Sequence, residues 1–262
     1  MRILLFGGMG FIGEYLAQKL SLRNDCKIKI VGRESKVQDF DSEVVVILTQ
    51  PGQALKDFLP IISSAHTIKK IVYCSTLLLY PNSQEKQDEG ASLDPKTEYE
   101  KNKYEEELLL STMTQKEKIL LCIARLANVY GNIKNRGIIN HIMRGVVYGT
   151  ELTIYGDPSK KIRDYIFIED AVNLLEFLIF YPQKNTKEIF NICSSNGCSI
   201  HELIKTAQLV SGKEINFKIG ETILEKQSVI GENKKILNIS KYTLVYNILD
   251  GLNRTYHNYT RL

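Results

Sequence analysis

Apolar residues fall in two rhythms along the first half of the chain, and together they predict a repeated strand–helix order. Ile3-Leu4-Leu5-Phe6 is an unbroken apolar run, the pattern of a central strand covered on both faces. Glycines follow at positions 7, 10 and 13, and residues 14–20 then carry apolar side chains at helical intervals. Lys27-Ile28-Lys29-Ile30-Val31 alternates and predicts a second strand, and Val44-Val45-Val46-Ile47-Leu48 predicts a third. A helix over 54–64, a strand over 71–74, a helix from Glu98 through Leu110 and a buried strand over 119–124 continue the series. Ten residues lie between Arg33 and Val44, too few for a full strand–helix unit. The expected sheet is therefore one crossover short on that side.

Beyond Gly131 the elements shorten. The pattern predicts a helix over 137–148, a short strand over 152–155, a turn at Gly156-Asp157-Pro158, and a helix at 171–180 opened by residues 163–170. A strand at Phe190-Asn191-Ile192 and a helix over 199–210 capped by Ser199 follow. Residues 81–95 read as a polar loop. The fold class is thus α/β, a doubly wound, mostly parallel sheet with a smaller mixed C-terminal lobe. Residues 1–130 form the expected dinucleotide-binding part and 131–262 mainly the substrate lobe, with segments near 150–170 and 188–196 open to return to the first part.

Composition narrows the class. With 44% hydrophobic and 24% charged residues, the 262-residue chain has the make-up of an ordinary globular protein. A net charge of +4 with dispersed basic pairs argues for small anionic ligands and against a nucleic-acid groove. No apolar run reaches the length of a membrane span, and the first strand starts too near Met1 to leave room for a signal peptide. Cys26, Cys74, Cys122, Cys193 and Cys198 are odd in number and scattered, which predicts reduced thiols and a cytoplasmic setting. None of the four histidines sits in a metal-ligand cluster, so no metal is expected.

Strand, glycine turn and helix in that order allow backbone to approach a pyrophosphate at the positive end of the helix. Gly7, Gly10 and Gly13, with Phe11 and Ile12 between them, form the predicted cofactor turn. At the end of the second strand, where an acid would select NAD, Arg33 stands instead and favours NADP over NAD. Thr49 ends the third strand at the same cofactor edge. Ser75-Thr76 lies at the C-terminal end of the next strand, where open α/β sheets place their chemistry. Tyr99 and Lys103 are four apart and share one helix face. A phenol titrates near 10, so acid–base work near neutrality asks for a shift of about 2–3 units, about 3–4 kcal/mol toward phenolate. A neighbouring ammonium and an oxidised nicotinamide are the expected sources, and Thr76 would orient the substrate oxygen.

At these positions the chain resembles the extended short-chain dehydrogenases/reductases, and within them the nucleotide-sugar epimerases and reductases. The resemblance rests on Gly7-x-x-Gly10-x-x-Gly13, Ser75-Thr76 ahead of Tyr80, Tyr99-x-x-x-Lys103 and Asn128-Val129-Tyr130-Gly131. It continues through Tyr155-Gly156-Asp157, Arg163-Asp164-Tyr165-Ile166 and Phe190-Asn191-Ile192. It implies a Rossmann-type fold and a catalytic set of Thr76, Tyr99 and Lys103, with Lys103 also holding the nicotinamide ribose. Asn128 and Arg163 would grip the diphosphate of a nucleotide-diphosphate sugar, Arg163 by its planar fork. It also implies a homodimer through the helices at 54–64 and 98–110, and a place in polysaccharide biosynthesis. Nucleotide-sugar 4,6-dehydratases carry an Asp-Glu pair directly after the threonine; this chain has Leu77-Leu78. The resemblance therefore points to oxidoreduction at C4 of the hexose, as a 4-keto-sugar reductase or, alternatively, a UDP-glucose 4-epimerase-like enzyme. A silent NAD(P)-sensing binding protein on the same fold is the alternative of another class.

Overall fold

In a computed structural model, which describes residues 1–32, 41–221 and 226–261, the chain forms two compact units. The first comprises Met1–Leu79, Pro95–Leu126 and Val172–Asn191; the second comprises Tyr80–Asp94, Ala127–Ala171 and Ile192–Leu262. In chain order the first unit opens with β1 (Arg2–Phe6), α1 (Phe11–Ser21), β2 (Lys27–Val31), β3 (Val44–Ile47), α2 (Gln53–Ser64) and β4 (Lys70–Thr76). A short β5 (Lys86–Gln87) precedes α3 (Glu98–Glu117), β6 (Leu120–Leu126), β7 (Asn128–Tyr130), α4 (Ile138–Tyr148) and β8 (Leu152–Tyr155). Then come β9 (Ile162–Phe167), α5 (Ile168–Phe180), β10 (Lys187–Ile192), β11 (Gly197–Ser199) and α6 (Ile200–Ser211). The chain ends with β12 (Phe217–Gly220), β13 (Ser228–Gly231), α7 (Lys234–Ser240) and α8 (Ile248–Thr260).

The central sheet runs β10-β6-β4-β3-β1-β2, and its β2-β1-β3-β4-β6 registers are parallel. Strand order reverses between β1 and β3, so the carboxyl ends of those strands flank the switch point at which such sheets bind ligands. Leu4, Phe6, Val45, Ile47, Ile71 and Tyr73 face a cluster with Leu55, Phe58 and Ile62 of α2 and Leu110 of α3. Their alternates Ile3, Leu5, Val44, Val46 and Val72 are equally buried, so both faces are covered, as the unbroken apolar runs require. β2 stands at the edge and leaves Ile30 45% exposed. The expectation of a shortened sheet beyond β2 falls on residues 33–40, outside the described residues, and so does Arg33.

The second unit builds β11-β9-β13-β5 with β7 also on β9, a separate β8–β12 pair, and the helices α4, α6 and α8. One sequence expectation is corrected here. Residues 163–167 belong to the strand β9, and only 168–170 open the helix α5. Tyr165, Ile166 and Phe167 suit a pleated surface, and β7, β11 and β13 all pair with this strand. The loop expected over 81–95 contains β5, which pairs with Ile230 and Gly231. Asp170 accepts hydrogen bonds from the Tyr242 hydroxyl (2.6 Å) and the N–H groups of Val245 and Tyr246 (3.0 Å each), pinning the segment that leads into α8. All five cysteines are free, and Cys74, Cys122 and Cys193 are buried. Among the described residues no helix is long and apolar enough to cross a membrane, and no His/Cys/Asp/Glu cluster could hold a metal.

Candidate functional site

The turn after β1 is as tight as its glycine spacing predicts. Gly7 sits at φ +88°, and a Cβ on it would come 3.0 Å from the Leu48 carbonyl carbon and 3.1 Å from the Thr49 nitrogen. At Gly13 a Cβ would lie 2.4 Å from the Gly7 carbonyl oxygen, so any side chain there would push α1 off the turn. Gly10 caps α1, and among the described residues a Cβ on it would meet only the Gly7 oxygen, at 3.3 Å. That leaves open space before the helix N-terminus, where a pyrophosphate would be held by N–H groups and the helix dipole. Phe11 and Ile12 open the first turn of α1 behind it. Thr49 Oγ1 is buried with no hydrogen-bond partner among the described residues, a polar atom at the β3 end that a ligand would satisfy. These features fit a bound dinucleotide. Gly8, which sequence reasoning passed over, is equally constrained: a Cβ there would lie 2.9 Å from Ile30.

β4 delivers Thr76 and α3 delivers Tyr99 and Lys103, all within the first unit. Thr97 caps α3 and closes a capping box with Glu100, which fixes where the helix starts and so where Tyr99 stands in its first turn. Thr76 is the neighbour that draws the Tyr99 phenol downward in pKa. Thr76 Oγ1 accepts the Leu78 N–H at 3.2 Å. Lys103 Nζ donates to the carbonyls of Cys74 (2.9 Å) and Thr49 (3.1 Å). Thr49 thus accepts from the lysine with its carbonyl oxygen, and its nitrogen is one of the atoms that a side chain at Gly7 would crowd.

The electrostatics differ from the sequence expectation. Burial raises the Tyr99 phenol above its ordinary range, Thr76 pulls it down, and Glu106 adds to the rise. Burial likewise holds the Lys103 ammonium below its ordinary range, with Glu106 the first group to oppose it. Lys103 directs its donors at backbone carbonyls rather than at the phenol. The chain's own residues therefore keep Tyr99 in its protonated form.

In the second unit, Asn128 Nδ2 donates to the Asp164 carbonyl (3.0 Å), tying β7 to β9. Arg163 Nη1 donates to the carbonyls of Ile162 (2.9 Å) and Gln227 (3.0 Å), and Nη2 to that of Lys226 (2.6 Å). The neighbouring carboxylate of Asp164 is taken by the N–H and hydroxyl of Ser194 (2.8 Å each) and the N–H of Ser195 (3.0 Å). Burial nevertheless lifts Asp164 to about 7. Asn128 and Arg163 lie on adjacent strands of this unit; Thr76, Tyr99 and Lys103 lie in the other.

Residues 54–193 of this chain match the NAD dependent epimerase/dehydratase family. The chain belongs to that family. Among curated relatives, an uncharacterized UDP-glucose epimerase, YtcB, of Bacillus subtilis (strain 168) is 25% identical over 189 residues, 71% of this chain and 59% of that protein. This chain thus spans about three fifths of that relative's length. A GDP-6-deoxy-D-talose 4-dehydrogenase of Aggregatibacter actinomycetemcomitans is 24% identical over 275 residues, covering 91% of each chain. Among solved structures, the UDP-glucose 4-epimerase of Thermus thermophilus in complex with NAD superposes with a TM-score of 0.88 at 17% identity, over 99% of both chains. The UDP-glucuronic acid 4-epimerase of Bacillus cereus with UDP-glucuronic acid and NAD gives 0.89 at 19% identity, over 100% of this chain and 99% of that one. These likenesses establish a Rossmann-like α/β fold with a mostly parallel central sheet.

Proposed function

We propose that this family member is an NAD(P)-dependent oxidoreductase acting at C4 of a nucleotide-activated hexose, and that it reduces a 4-keto sugar. The observation that carries the reading is the Lys103 ammonium anchored on the carbonyls of Thr49 and Cys74, on the helix that bears Tyr99 and beside the strand that ends in Thr76. The bound nicotinamide supplies or accepts hydride at the sugar carbon. Thr76 and Tyr99 bind the oxygen on that carbon, and Tyr99 gives it the proton. The raised phenol suits a donor, because general-acid work needs the protonated form and no phenolate has to be made beforehand. Lys103 uses two of its three donors on carbonyls and keeps one for the nicotinamide ribose. Asn128 and Arg163 bind the diphosphate in this reading. Leu77 and Leu78, in the short 3-10 turn after Thr76, place no carboxylate where elimination would need one, which disfavours a dehydratase.

The relative named a 4-dehydrogenase aligns over most of both chains and supports oxidoreduction at that carbon. The second reading is a 4-epimerase, favoured by the relatives and folds so named. It would use the same side chains twice, removing hydride and returning it to the other face. Arg33 favours NADP, whereas the solved relatives carry NAD. The reading also includes a homodimer through α2 and α3, whose Leu108 and Leu109 are 50% and 38% exposed.

A panel of UDP-, dTDP-, GDP- and CDP-sugars scored by thermal shift, with and without NADPH or NADH, tests these points together. One nucleotide series should raise the midpoint further once reduced cofactor is present. A reductase should be isolated largely free of cofactor and consume NAD(P)H, whereas an epimerase should carry tightly held NAD and consume none. A flat response to every sugar would contradict the substrate class.

A further inference from the structure

Resting on that reading, one buried carboxylate stands close to the lysine of the proposed site. Glu106 follows Lys103 by three residues on α3 and is 3% exposed. A carboxylate so placed is costly unless its oxygens are satisfied. Here they are: the Gly52 N–H donates to Oε1 at 3.0 Å and the Tyr73 hydroxyl donates to Oε2 at 2.5 Å. The second oxygen lies 3.9 Å from Lys103 Nζ, too far for a hydrogen bond but close enough for strong charge coupling away from water. The same ammonium lies 4.7 Å from the centre of the Tyr73 ring. Glu106 therefore joins three pieces: the segment after β3 that carries Thr49 and Gly52, the β4 strand that ends in Thr76, and the helix bearing Tyr99 and Lys103.

We propose that Glu106 is a positioning residue, whose carboxylate, locked by Tyr73 and Gly52, holds the Lys103 ammonium in place. Other charged or titratable groups surround the pair without duplicating this role. Tyr73 and Cys74 face it from β4, and burial pushes the Cys74 thiol up to about 12. Glu100 is engaged with the N–H groups of Lys96 and Thr97 at the start of α3. Glu107 is paired with Arg125 of β6. Lys56 of α2 borders the same cleft as Glu106, together with Asn102 and Glu105 of α3. Glu106 heads the charges that sustain Lys103 and those that raise Tyr99.

Glu106→Gln removes the charge and keeps an acceptor for Gly52; Glu106→Asp keeps the charge. NADH binding, read by its fluorescence from neutral to alkaline pH, reports the Lys103 proton independently of turnover. In Glu106→Gln the alkaline loss of NADH affinity should move about 1 pH unit lower, the scale of one opposite charge at this distance. Glu106→Asp should restore most of the shift, and the alkaline limb of sugar turnover should move in parallel. Superimposable binding profiles for parent and Glu106→Gln, or an Asp variant that behaves like the Gln variant, would overturn the proposal. A shifted NADH limb with no turnover of any nucleotide sugar would sustain the role of Glu106 and sink the substrate reading. A parent that binds neither NADPH nor NADH would overturn both.

Discussion

Tyr99→Phe should lower turnover of an accepted nucleotide sugar by about 10²–10⁴-fold, the range lost when a positioned general acid is removed. The substitution deletes one oxygen from a residue that is 37% exposed. The melting temperature should therefore stay near that of the parent, and KM for the sugar should change far less than kcat. Direction matters as well. Burial raises this phenol, so its acid form persists through neutral pH, and kcat/KM for reduction should stay flat until strongly alkaline conditions deprotonate it. Oxidation of the sugar should instead rise with pH, because there the phenolate is required. Steady-state kinetics in both directions across pH would show this asymmetry. A reduction profile that climbs from neutral to alkaline pH would contradict the protonation state assigned to Tyr99.

The largest loss of stability should come from a pair that no chemistry in this account uses. Arg125 Nε and Nη2 donate to the two carboxylate oxygens of Glu107 at 3.1 and 2.8 Å, with both side chains almost wholly buried. Glu107→Ala takes the two-point carboxylate from a guanidinium that is 3% exposed, at a cost of about 3–5 kcal/mol. For a chain of this size the fall in Tm is on the order of 10 °C. Replacing both partners with methionine should recover much of it, because the desolvation of two charges then disappears along with their attraction. Thermal melts of the single and double variants decide the matter. Equal losses in the two would mean that packing, not the charge, sets the cost.

What the sequence disclosed and what it hid divide along physical lines. The glycine turn was legible because its constraints are local: Gly7 and Gly13 meet atoms of the same turn or of the strand ends around it. β1, β3, β4 and β6 announced themselves by uninterrupted apolar runs, as strands buried on both faces do. The capping box of α6, Ser199 with Glu202, was readable from spacing. Helix α3 concealed the most. Glu100, Glu106 and Glu107 look like a solvent-facing stripe, yet all three are buried. Their partners lie far off in sequence, at Gly52, Tyr73 and Arg125 for the last two, so no local periodicity could reveal them. The same holds for β9, whose identity as a strand comes from neighbours at 128–130, 197–199 and 228–229. The phenol's raised proton affinity was hidden for a related reason, because the lysine's partners and the buried glutamate are features of packing.

Deuterium transfer tests the central claim most directly. NADPH or NADH carrying deuterium at C4 of the nicotinamide is supplied with 4-keto nucleotide sugars, and the product is read by NMR. The account predicts deuterium at C4 of the sugar, on one face, at a rate that collapses in Tyr99→Phe. Label at another carbon, or transfer that proceeds unchanged without the Tyr99 hydroxyl, would contradict it.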